Sequence, residues 1–175
     1  MKIALGSDHR GYQTKTRLKT FLEGLGHVVL DCGSDSDEPC DYPDLAVPPC
    51  QMVATGQAER AILFCGSGIG MTMVANKVPG IRAALCHDEL TAEMSRRHND
   101  ANVLCLPADL LGEELIRRMV EVWLKAPFEA GRHKRRVDKI MNIEALAARG
   151  LLALPPPRAK AAHKPAAPET EPRTT

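Results

Sequence analysis

Short apolar segments alternate with longer amphipathic segments along the first 150 residues, and this alternation limits the possible folds more than any other feature. The apolar run at 60–65 is continuous, which is typical of a strand buried on both faces of a parallel sheet. In 11–25 the apolar residues recur at spacings of three and four, which indicates a helix. Strands are predicted at 2–6, 27–31, 60–65, 81–86 and 102–106, and helices at 11–25, 45–58, 89–97, 111–125 and 132–149, with one more ending near 77.

Strands that alternate with helices are joined by right-handed crossovers into a parallel sheet with helices on both faces. We therefore predict an α/β fold, a doubly wound three-layer sandwich with a five-stranded parallel sheet, followed by a C-terminal helix and a disordered tail. Pro48 and Pro49 are awkward inside the helix predicted at 45–58, because an interior proline costs about 3 kcal/mol. That helix is expected to start near Pro48 or to be kinked.

Composition divides the chain into a predicted domain at 1–150 and a tail at 151–175. Six of the 13 prolines lie in the tail, which has no aromatic residue and cannot bury enough apolar area to offset its ordering entropy. The 23 basic and 22 acidic residues leave a net charge of +1, which argues against nucleic acid and membrane surfaces as partners. The N-terminus becomes charged too early for a secretory signal, so we expect a cytoplasmic protein.

The six cysteines show no Cys-x-x-Cys spacing, which argues against a structural zinc site. Cys65 differs from the others because a glycine-rich turn, Gly66-Ser67-Gly68-Ile69-Gly70, follows it at the end of a predicted strand. The turn amides could cradle an anion and stabilise a thiolate for general-base or nucleophilic work. A buried, inert thiol is the alternative. Asp88, 20 residues past Gly68, keeps NAD binding open, although a dinucleotide motif normally follows the first strand of its unit.

Two further polar clusters lie outside this turn. His98 and Asn99 precede the last strand, so about 17 Å of sheet separates His98 from Cys65 at 3.3 Å per residue. His98 either caps a helix or completes the site of a neighbouring chain, which predicts a two-fold dimer. Arg132 and Arg136 share one helical face and suit a phosphate or carboxylate, or they form a solvated basic face.

Together these segments resemble the sugar-phosphate isomerases of the ribose-5-phosphate isomerase type B and galactose-6-phosphate isomerase family. The resemblance spans about residues 2–145. It is carried by Gly6-Ser7-Asp8-His9-Arg10-Gly11, Asp41-Tyr42-Pro43, Cys65-Gly66-Ser67-Gly68-Ile69-Gly70-Met71, Ala75-Asn76-Lys77, Gly80-Ile81-Arg82-Ala83-Ala84, Arg97-His98-Asn99-Asp100-Ala101-Asn102-Val103-Leu104 and Gly131-Arg132-His133.

The resemblance implies an aldose–ketose isomerase that needs no cofactor or metal and works through a cis-enediol(ate). Ribose 5-phosphate, interconverted with ribulose 5-phosphate in the pentose phosphate pathway, is the expected substrate. Allose 6-phosphate, galactose 6-phosphate and a non-catalytic phosphosugar-binding role are the alternatives. The resemblance implies that Cys65 is the base and that His98 opens the sugar ring. It implies that Asp8 and His9 bind the sugar and its phosphate, that Asn99 binds substrate from a partner subunit, and that Arg132 and Arg136 bind the phosphate. The implied enediolate-binding turn consists of Gly66, Ser67, Gly68, Ile69 and Gly70.

The implied assembly is a homodimer or tetramer with active sites shared between subunits. One departure from the family pattern bears on the phosphate. The family often has an arginine on the loop after the fifth strand, where this chain has Asp109. That contact and the sugar preference are therefore open.

Overall fold

The computed structural model describes residues 1–153, which include the predicted domain at 1–150. Of the predicted disordered tail at 151–175, residues 154–175 lie outside the described residues. Within residues 1–153, five parallel strands form one sheet in the order β2-β1-β3-β5-β4. The strands are β1 (Lys2–Ser7), β2 (Val28–Asp31), β3 (Arg60–Cys65), β4 (Ala83–Leu85) and β5 (Val103–Pro107).

Helices cover both faces of this sheet, which confirms the predicted three-layer α/β class. The described residues form α1 (Tyr12–Gly24), α2 (Tyr42–Ala54), α3 (Ile69–Ala75), α4 (Glu89–Asn99), α5 (Glu113–Lys125) and α6 (Gly131–Ala148). Successive strand side chains point to opposite faces. Ile62 and Phe64 therefore join the core under α1 and α5, whereas Leu63 and Cys65 face α2 and α3.

The central strand β3 lies between β1 and β5, and the direction of the chain crossovers reverses beside it. From β1 the chain moves outward to β2, whereas from β3 it moves to the other half of the sheet. In open α/β sheets ligands bind at the carboxyl ends of strands next to such a reversal. The ends of β1 and β3, at Ser7 and Cys65, are therefore the expected place for a ligand.

The helix containing the two prolines is longer at its start than predicted. It begins at Tyr42 and includes Pro48 and Pro49 in its interior, so the expected start near Pro48 is wrong. Burial explains why the helix persists, because Pro49 is buried against β1 and a Cβ on Gly6 would lie 2.9 Å from its Cγ. The helix ends at Ala54, before Gly56 adopts a left-handed φ of +75°, which is a common way to stop a helix.

Helix α6 packs at the opposite end of the sheet from the carboxyl ends of the strands. Its Glu144 accepts a 2.7 Å hydrogen bond from the Gly80 amide, and Met141 contacts Arg82, both in the segment that leads into β4. Among the helices of residues 1–153, none combines the length and apolar character that crossing a membrane requires.

Candidate active site

Cys65 is the last residue of β3, and its side chain is only 5% exposed. The Gly68 amide donates a hydrogen bond to Cys65 Sγ at 3.2 Å, so the turn closes back on the sulfur. Gly68 has a φ of +74°, and a Cβ there would lie 2.5 Å from Leu85 Cδ1. Only glycine fits this conformation and this space, and the turn geometry around the sulfur therefore depends on it.

Asp8 brings a buried carboxylate to the neighbouring strand end. Its Oδ1 accepts hydrogen bonds from the amides of Arg10 at 3.0 Å and Gly11 at 3.1 Å. Its own amide donates to the carbonyl of Phe64 at 3.2 Å, which ties the end of β1 to the residue before Cys65. Asp8 and Cys65 therefore share the reversal point between β1 and β3.

His9 is oriented by the loop that leads to α2. The Cys40 amide donates to His9 Nδ1 at 3.2 Å, and Cys40 Sγ lies 3.9 Å from the same nitrogen. An imidazole whose Nδ1 accepts a hydrogen bond carries its proton on Nε2 when neutral. The Nε2–H of His9 is thus left as a donor for a ligand.

Two side-chain features around the turn were not expected from the sequence. The ring of Tyr42 covers Gly70, where a Cβ would lie 2.7 Å from ring carbons. Arg10 and Asp109 form an ion pair at 2.6 Å although 99 residues separate them. Arg10 and Asp109 each follow a strand that flanks β3, and this position after a strand end was the only signal in the sequence for their contact.

A second cluster forms where the end of α4 meets the start of α6. The rings of His98 and His133 stack with centroids 4.1 Å apart and planes 4° from parallel. Glu129 Oε2 lies 3.6 Å from Nε2 of each histidine, and Arg97 binds Glu129 through Nε at 2.7 Å. Arg132 Nε donates to His133 Nε2 at 3.3 Å, which places one of the predicted phosphate ligands beside His98.

Electrostatics in this second cluster favour a neutral His133 beside an ionised Glu129. Burial, and next the nearby His98 and Arg132, hold the pKa of His133 below its ordinary value. The hydrogen bond from Arg97 lowers the pKa of Glu129. Donor atoms of His98, Glu129 and His133 lie within 4.8 Å of one another. Because the rings are parallel, their in-plane lone pairs do not converge on one point, so this arrangement does not favour a metal ion.

The predicted site residues thus fall into two groups at opposite ends of the sheet. Asp8, His9, Cys65 and the turn Gly66–Gly70 lie at the carboxyl ends of the strands, while His98, Asn99, Arg132 and Arg136 lie at the other end. In the pairing of β3 with β5, Cys65 is opposite Pro107 and Ala61 is opposite Val103. The four residue steps from Ala61 to Cys65 alone span about 13 Å at 3.3 Å per residue. One chain therefore does not bring the two groups together.

Comparisons with known proteins agree on one class. The family model described as Ribose/Galactose Isomerase matches residues 3–140. A solved structure of ribose-5-phosphate isomerase B from Clostridium thermocellum is 46% identical, with a TM-score of 0.83, and the match covers 84% of this chain and 99% of that one. Ribose-5-phosphate isomerase B of Escherichia coli (strain K12) is 43% identical over 143 residues, which is 82% of this chain and 96% of the relative.

A relative with a different name is nearly as similar. The D-erythrulose-4-phosphate isomerase of Pectobacterium atrosepticum is 40% identical over 141 residues, which is 80% of this chain and 93% of the relative. The doubly wound sheet, the cysteine turn at its reversal point and these relatives together define an enzyme of the isomerase class. The chain belongs to the ribose/galactose isomerase family, which confirms the expected family.

Proposed function

We propose that this protein interconverts ribose 5-phosphate and ribulose 5-phosphate through an enediolate, with Cys65 as the base. The observation that carries this proposal is the Gly68 amide 3.2 Å from Cys65 Sγ at the reversal point of the sheet. This hydrogen bond holds the sulfur beside the turn, in the position that the proposed base needs. The same segment places further turn amides next to the base, where an enediolate oxygen would form.

Proton transfer is the central step of the proposed reaction. The Cys65 thiolate takes the proton from C2 of the open-chain aldose, and the negative charge moves to the C1 oxygen. The thiol then returns the proton to C1, the carbonyl forms at C2, and the proton of the C2 hydroxyl passes to the C1 oxygen. Amides of the Gly66–Gly70 turn stabilise the enediolate, and removing one such donor in other enzymes costs about 3–4 kcal/mol. The proposed steps use no cofactor.

Other side chains are proposed to hold the sugar in place while the proton moves. Asp8 is proposed to bind a sugar hydroxyl, and the Nε2–H of His9 is proposed to bind the phosphate end. Arg132 and Arg136 bind the phosphate through their guanidinium groups, which suit phosphate oxygens. Contacts remote from the reacting carbons orient the sugar and so contribute to the rate.

The ring-opening residue and the arginines are proposed to come from a second subunit. His98, Asn99, Arg132 and Arg136 lie at the opposite end of the sheet from Cys65, so a two-fold homodimer would unite the two groups in shared sites. His98 would open the furanose ring of a sugar bound at the partner's turn. A tetramer would contain the same shared sites twice. We also propose that the protein acts in the cytoplasm, in the pentose phosphate pathway.

A second candidate is an isomerase of another sugar phosphate with four or six carbons, such as allose 6-phosphate or galactose 6-phosphate. The similarity to a D-erythrulose-4-phosphate isomerase and the unusual Asp109 favour keeping it. Competition between the sugar phosphates, scored by kcat/KM on the purified protein, separates these candidates. A non-catalytic phosphosugar-binding protein would bind the sugar without solvent exchange at C1 or C2.

Subunit mixing tests both the base and the shared site. Cys65→Ala and His98→Ala should each abolish turnover while the far-ultraviolet circular dichroism spectrum stays unchanged. After subunit exchange the mixture should regain activity, because each mixed dimer contains one intact site. Wild-type activity in Cys65→Ala would refute the mechanism. Absence of recovery, with exchange proven by native mass spectrometry, would refute the shared site.

A further inference from the structure

We infer that Arg10, held in place by Asp109, is a phosphate-binding residue of the Cys65 site. This inference deepens the proposed function and rests on it for the identity of the sugar. Arg10 follows β1 and Asp109 follows β5, the two strands that flank β3. Their ion pair therefore crosses the carboxyl end of β3, where the turn after Cys65 begins.

The pair lies directly over Gly66. A Cβ on Gly66 would stand 2.5 Å from Asp109 Oδ2 and 2.9 Å from Arg10 Nε. Gly66 is the first residue after Cys65, so the guanidinium forms part of the wall around the proposed base. Because Gly66 has no side chain, the Arg10 guanidinium and the Asp109 carboxylate can both lie close to the backbone at position 66.

Backbone hydrogen bonds fix both ends of the pair. The Asp109 amide donates to the Gly66 carbonyl at 3.1 Å, and the Arg10 amide donates to Asp8 Oδ1 at 3.0 Å. Asp109 occupies the Nε–H of Arg10, whereas among residues 1–153 neither Nη nitrogen donates to a protein acceptor. The Arg10 side chain remains 57% exposed, so these N–H groups face the open side of the turn.

Charge explains why an anion is the expected occupant. Guanidinium N–H groups in a planar fork suit two phosphate oxygens at once. The hydrogen bond from Asp109 raises the pKa of Arg10, which keeps the guanidinium charged. His9, the preceding residue, offers its Nε2–H to the same region. Without Arg10, the Asp109 carboxylate would face an anionic substrate with no compensating charge.

A purely structural ion pair is the competing explanation, and the chain offers a matched control for it. Arg17 pairs with Glu113 at 2.9 Å between α1 and α5, with both side chains similarly exposed. Exposed ion pairs contribute little to stability. Arg10→Gln and Arg17→Gln should therefore lower the melting temperature by similar small amounts, while only Arg10→Gln changes phosphate binding.

The test measures KM and kcat for ribose 5-phosphate and the inhibition constant of inorganic phosphate. Arg10→Gln should raise both KM and the inhibition constant about tenfold, with kcat within twofold, because one charge-assisted contact is lost. Arg10→Lys should recover part of both losses. Arg17→Gln should leave all three values unchanged. Unchanged KM and phosphate inhibition in Arg10→Gln would overturn the inference, as would a loss confined to the melting temperature.

Direct phosphate binding separates this inference from the proposed function. Calorimetry with inorganic phosphate on the wild-type protein, Arg10→Gln and Arg17→Gln needs no turnover. If the wild-type protein does not isomerise ribose 5-phosphate but Arg10→Gln binds phosphate about tenfold more weakly, the function fails and the inference stands. If isomerisation is normal and Arg10→Gln binds phosphate as the wild-type protein does, the inference fails alone.

Discussion

Replacing Gly68 by alanine should damage both stability and catalysis, and Gly56 provides the matched control. The two glycines have φ angles of +74° and +75°, so the same substitution imposes the same left-handed conformation on alanine. Within residues 1–153, and apart from its chain neighbours, no heavy atom lies within 4 Å of where a Cβ on Gly56 would be. A Cβ on Gly68 would meet Leu85 Cδ1 at 2.5 Å. The comparison therefore isolates steric crowding from backbone conformation.

The expected losses of stability follow from two contributions, the left-handed backbone conformation and the steric crowding. A left-handed alanine costs about 1–2 kcal/mol, partly offset because alanine reduces the freedom of the unfolded chain. Gly56→Ala should therefore lower the free energy of unfolding by about 1 kcal/mol. At Gly68 crowding adds about 1–3 kcal/mol, since backbone atoms of Leu106 and Pro107 also lie 3.2 Å away and cannot give way easily.

Urea unfolding and steady-state kinetics on both variants check this reasoning. Gly68→Ala should lose about 2–4 kcal/mol of stability and more than tenfold in kcat, because the amide at 3.2 Å from Cys65 Sγ moves with the turn. Gly56→Ala, at the far end of β3, should keep wild-type kcat. Equal stability losses in the two variants would refute the steric argument. Wild-type kcat in a folded Gly68→Ala would refute the role of the turn.

Two further predictions concern the other thiols and the histidine pair. Burial raises the pKa of Cys50 to about 12 and also raises that of Cys105, so iodoacetamide at pH 8 should modify the half-exposed Cys40 and leave both buried thiols intact in the folded protein. Peptide mapping that finds Cys50 modified as fast as Cys40 would contradict this. The pKa of His133 lies below its ordinary 6.5, so the unfolded chain takes up that proton first as the pH falls. The free energy of unfolding should therefore decrease from pH 7.5 to 5.5, and His133→Gln should flatten that curve in urea titrations. An unchanged slope in the variant would contradict the assignment.

Local patterns predicted the central elements well. The strand expected at 60–65 is observed as Arg60–Cys65, because a continuous apolar run that ends at glycines has few alternatives. The predicted C-terminal end of α2, at 58, was four residues too late although Gly56 carried the signal for an earlier stop. The N-terminal end was missed because packing of Pro49 against β1 offsets an unfavourable local preference. Tertiary burial of this kind is not visible in a helix pattern.

In the candidate site, too, the features set by residues close in sequence were predicted, and those set by contacts between distant segments were not. The turn after Cys65 was predicted because its three glycines lie at alternate positions within one short segment. The separation of His98 from Cys65 followed from strand length. The Arg10–Asp109 pair was not predicted, since it depends on β5 lying next to β3 in the sheet. The stacking of His133 on His98 depends likewise on how α6 packs against α4. Strand order and helix docking are the distant relationships that spacing alone does not encode.

The position of β5 between β3 and β4 also dictates an order of assembly during synthesis. Strands β1, β2 and β3 can pair as soon as residue 65 has left the ribosome, because each then has at least one sheet neighbour. Among the described residues the short edge strand β4 pairs only with β5, so it must wait until residues 103–107 emerge and dock on β3. Asp109 arrives with that docking and joins Arg10 over Gly66, so the wall around Cys65 is completed only after most of the domain has been translated.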